Sequence, residues 1–101
     1  MKISQEIMNA ETFMIWLGGE LNALSQMTIE DGRKHQASLK LVKTAMTELD
    51  QMSPDERQQV LKALYSETKT RMIGNYQIPL DDGEQSDWVD AIVVTLQAHL
   101  E

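Results

Sequence analysis

Ser53-Pro54-Asp55-Glu56, running on into Arg57-Gln58-Gln59-Val60-Leu61-Lys62-Ala63-Leu64-Tyr65, is the stretch on which the fold turns. A hydroxyl at the N-cap, a proline where the first helical N–H lacks a partner anyway, and a carboxylate at the third helical position spell a capping box. A helix begins there. Val60, Leu61, Leu64, Tyr65, Thr68 and Met72 then recur at threes and fours, which is the spacing of one helical face. Gly74-Asn75 reads as the stop, because glycine takes the left-handed conformation that ends helices, so this helix is placed at 54–73. Glu67 and Arg71 stand one turn apart and can pair on its exposed side.

Working upstream, Leu39, Val42, Met46 and Leu49 repeat in the 3, 4, 3 rhythm of a packed seam, and four residues further back the seam reaches His35. Thr28-Ile29-Glu30-Asp31 offers a capping box despite Gly32 in the first turn, which places a helix at 29–50. A first helix at 5–27, capped by Ser4 or Asn9, shows Phe13, Leu17, Leu21 and Leu24 on one face. The run Phe13-Met14-Ile15-Trp16-Leu17 spreads apolar surface over every side of that helix, so something must cover it. Gly18-Gly19 follows at once; each glycine costs a helix about 1 kcal/mol relative to alanine. The pair therefore marks either a kink or a place where another backbone comes close.

Downstream, Ser86-Asp87 caps a last helix at 87–100, whose buried face is Trp88, Val89, Ile92, Val93, Leu96 and Leu100, with Val94 widening it. The period of 3.6 outweighs the β-branched run Val89 to Val94 as a guide. Residues 75–85 form a connection longer than helical bundles usually need. Tyr76, Ile78 and Leu80 alternate with Gln77 and Pro79, so this piece is expected to lie extended over an apolar seam before Asp81-Asp82-Gly83 turns the chain. The expected fold is all-α: a single domain over 1–101, a small irregular antiparallel four-helix bundle with an extended segment between helices 3 and 4.

Composition limits function more than it defines it. With 101 residues, 42% apolar and 25% charged, there is room for one core. The absence of cysteine removes disulfides, thiolate metal sites and thiol nucleophiles. The opening Met1-Lys2-Ile3-Ser4-Gln5-Glu6 has no secretory pattern and no apolar run reaches membrane-spanning length, so a cytoplasmic location and no membrane contact are expected. A net charge of −7 opposes sequence-independent binding to phosphate backbones. That charge is uneven: Glu6, Glu11, Glu20, Glu30 and Asp31 near the start and Asp81, Asp82, Glu84, Asp87 and Asp90 near the end bracket Arg33, Lys34, Lys40 and Lys43 in the middle. Internal complementarity between ends and middle explains this pattern without a partner.

Nothing in the sequence assembles chemistry. His35 on a helix seam and His99 in a last turn lie outside any nucleophile motif, and two histidines without cysteine make a poor zinc set. Asp81 to Asp87 fails the EF-hand register, since with Asp81 first the glycine falls at the third position and not the sixth. Gly18-Gly19 neither follows a strand nor precedes Gly-Lys-Ser/Thr, so no phosphate cradle is present. A helical domain of this size also leaves little room for a pocket of ~300 Å³. No catalytic residue, metal or cofactor is assigned, and the chain is read as a non-enzyme.

The reading that remains is a protein–protein interaction module, an adaptor or inhibitor acting on a larger protein. Its expected contact residues are Phe13, Trp16, Tyr76, Asp81, Asp82, Glu84 and Asp87. Two alternatives stand beside it: a homodimer through the surplus apolar faces of the first and last helices, and an acidic mimic of nucleic acid that blocks a nucleic-acid-processing enzyme. In size and composition the chain is similar to many phage and plasmid accessory proteins and small secretion chaperones, a likeness that transfers no residue and no activity.

Overall fold

Asn9 starts the first helix by satisfying an N–H that has no helical partner. In the computed structural model its Oδ1 accepts from the Thr12 N–H at 2.8 Å, while the Thr12 hydroxyl accepts from the Asn9 N–H at 3.1 Å. Threonine thus takes the part that glutamate or glutamine usually plays in a capping box. Residues 9–26, 31–67, 72–77 and 84–101 are described, without the side chains of 31–34 and 84–88. They form α1 (Ala10–Ser25), α2 (Asp31–Asp50), α3 (Pro54–Glu67), the strands β1 (Met72–Ile73) and β2 (Tyr76–Gln77), and α4 (Glu84–Leu100). The chain is mostly helical, with one small antiparallel hairpin.

The capping box at Ser53 is half made. The Ser53 hydroxyl accepts from the Glu56 N–H at 3.2 Å, as the sequence implies. The Glu56 carboxylate, however, reaches across the fold and accepts from the Ala10 N–H, the first helical donor of α1, at 2.6 Å. One side chain therefore carries negative charge at the positive ends of two helices at once. This bond also sets α1 and α3 side by side at their beginnings.

Three expectations need correction. The third helix, described over Pro54–Glu67, does not reach 73, because Met72 and Ile73 form a strand; Thr68 lies outside the described residues. Gly74 and Asn75 do have positive φ, 57° and 74°, but two such residues in succession between paired strands make a two-residue hairpin turn, not a helix stop. Ile73 pairs with Tyr76 and Met72 with Gln77. Of the extended connection expected over 75–85, Asn75 is in the hairpin turn, Tyr76–Gln77 is strand and so extended, and Glu84 and Gln85 already belong to α4. Arg71, Ile78 and Leu80 lie outside the described residues. Helix α4 starts at Glu84, so Ser86 and Asp87 fall inside its first turn and do not cap it.

The second helix buries a different stripe from the one its large residues suggest. Leu41, Ala45 and Leu49 are in the core, four residues apart, with Ala37, Val42 and Met46 half-buried beside them, whereas His35 is exposed and Leu39 is 57% exposed. Ala45 is wholly buried, so the stripe that α2 turns inward is set by which side faces its neighbours and not by the size of its side chains.

Helix α1 packs against α2, α3 and both strands, and α4 closes the ring by packing against α2 and α3. Phe13, Leu17, Leu21, Leu49, Val60, Leu64, Ile73, Val89 and Leu96 fill the space between them. At the far ends of α2 and α4 the exposed His99 Nε2 meets Asp50 Oδ1 at 2.8 Å, so these two helices finish side by side. Such an exposed pair stabilises by no more than about 1 kcal/mol and serves mainly to mark the geometry.

Candidate functional site

Helix α1 carries the hairpin and one wall of each hollow described below, and Gly18 explains the first. A Cβ at that position would stand 1.8 Å from the carbonyl oxygen of Ile73, so only glycine lets the hairpin sit on the helix backbone. The contact is reciprocal: a Cβ on Gly74 would come within 2.1 Å of the Met14 carbonyl oxygen. Helix α1 passes through Gly18-Gly19 unbroken, so the pair marks a close backbone approach and not a break. The Tyr76 ring lies over the same glycines, 3.5 Å from where a Gly19 Cβ would be. A long hydrogen bond of 3.4 Å from the Gly74 N–H to the Glu67 carboxylate ties the turn to the end of α3.

On its other flank α1 forms an open groove with α2. Trp16, Glu20, Ala23 and Leu24 supply one wall and Ala37, Lys40, Leu41 and Thr44 the other, around a hollow of about 410 Å³. Leu24 and Leu41 are buried, while Trp16 is half-buried and stacks at a tilt on Phe13, ring centres 5.6 Å apart. Glu20 and Lys40 are exposed on opposite walls, one charge of each sign flanking an apolar interior. A second hollow of about 300 Å³ opens between α1, α3 and the hairpin turn, lined in part by Met14, Ile15, Ala63 and Glu67. The expectation that so small a helical domain would leave little room for a hollow of this size is not met.

The seven expected contact residues separate. Phe13 is fully buried, so its ring is part of the core. Trp16 lies in the groove wall and Tyr76, 39% exposed, over the glycine pair. Asp81 and Asp82 lie outside the described residues; Glu84 and Asp87 are placed on the first turn of α4 by its backbone, without their side chains. The apolar run at 13–17 is mostly spent inside, with Met14 and Leu17 buried and Ile15 left 39% exposed beside the turn. Sequence reasoning missed the groove residues Ala23, Ala37, Lys40 and Thr44, small or polar side chains that no motif distinguishes. It also missed Leu39, 57% exposed, because it fits an apolar period, whereas Val94, 59% exposed, is part of the surplus apolar surface expected of the last helix.

Among the described residues, one titratable group is clearly perturbed. The Tyr65 hydroxyl donates to the Glu101 carboxylate, which raises the tyrosine pKa above its ordinary 10.0, with desolvation and the carboxylate's charge acting in the same direction. Among the described residues no cluster of three or more His, Asp or Glu side chains is placed to hold a metal ion, and no helix is long and apolar enough to cross a membrane. Compared with protein-family models, with curated proteins and with solved structures, the chain matches none.

Proposed function

We propose that the chain is a protein-interaction module, an adaptor or inhibitor that contacts a larger protein through the α1–α2 groove, and that its four helices form an irregular antiparallel bundle that holds this groove open. One observation carries the reading: Trp16 is only half-buried, in the wall of an open groove that faces the exposed Lys40 and Thr44 of α2. A tryptophan beside an apolar hollow is the kind of residue that concentrates binding energy, often 2 kcal/mol or more, or roughly thirtyfold in affinity. The ring of contacts α1–α2–α4–α3 supports a bundle; because α1 and α3 meet at their starts and α2 and α4 at their ends, antiparallel neighbours are confined to its α1–α2 and α3–α4 sides.

Affinity capture from the native cell tests this. Trp16→Ala and Ala23→Arg, which fills the groove, should each abolish recovery of the same partner while far-ultraviolet circular dichroism stays unchanged. Gln58→Arg, on the exposed side of α3, should leave recovery intact. Equal recovery with all three variants overturns the reading. The exposure of Leu39 and Val94 favours self-association as the second reading. Light scattering at micromolar concentration decides it: a monomer excludes the dimer.

A further inference from the structure

We draw no further inference here: the strongest candidate, the apolar face where Ile15, Met72 and Tyr76 are left partly exposed around the hairpin on α1, carries none because nothing in the structure shows what covers it.

Discussion

Two adjacent glycines in one helix have opposite reasons to be there. An alanine Cβ at Gly19 would meet the Tyr76 ring at 3.5 Å, an ordinary contact, so Gly19→Ala should stabilise by up to about 1 kcal/mol through helix propensity alone. At Gly18 the same methyl meets a carbonyl oxygen at 1.8 Å, and the hairpin must move away. Overpacking of this kind costs about 1–3 kcal/mol, more than propensity returns. Urea unfolding of the two variants checks the pair; equal stability would show that the hairpin does not rest on Gly18. Tyr65 makes a prediction in pH. Its neutral form donates to Glu101, and the folded pKa is raised above 10.0, so the bond contributes stability below that value and loses it as pH climbs through the raised one. An ultraviolet absorbance titration should show one phenol ionising above the normal range, and Glu101→Gln should bring it down.

At the level of elements, α2 is the sharpest test because two registers compete for the same helix. The periodicity of large residues favours Leu39 with Val42, Met46 and Leu49, while the structure buries Leu41 and Ala45 with Leu49. Leu41→Ala should therefore cost about 2–5 kcal/mol as a core truncation. Leu39→Ala should stay within about 0.5 kcal/mol, as exposed substitutions do. The reverse order of the two, measured by denaturant midpoints, would restore the expected seam. The hairpin shows a related ambiguity. Gly74-Asn75 signals positive φ in any reading, but whether that residue pair ends a helix or turns a hairpin depends on what Ile73 and Tyr76 find to pack on. They find α1, whose glycine surface accepts Ile73 and the Tyr76 ring.

For the whole molecule, Glu56 joins the starts of α1 and α3, and α4 meets both α2 and α3, so no helix packs alone. Unfolding should be one cooperative transition, with helicity and tryptophan fluorescence falling at the same denaturant concentration. Separate midpoints would mean that the hairpin or one helix pair unfolds independently. What local chemistry can set is legible along the chain. Helix type follows from the 3.6-residue period, the start at Ser53 from a side-chain oxygen placed to receive a free N–H group, and the core face of α1 from Phe13, Leu17, Leu21 and Leu24. The sequence leaves open the choice of Asn9 over Ser4 as the cap of α1, which moves its start from 5 to 10. Only the tertiary structure decided where Glu56 sends its carboxylate, which stripe of α2 is buried, what Gly74-Asn75 turns, and that Trp16 and Lys40 share a groove. The physical reason is common to all four. Each depends on which distant segment of the chain packs against the residue concerned, and periodicity along one helix carries no information about its neighbour.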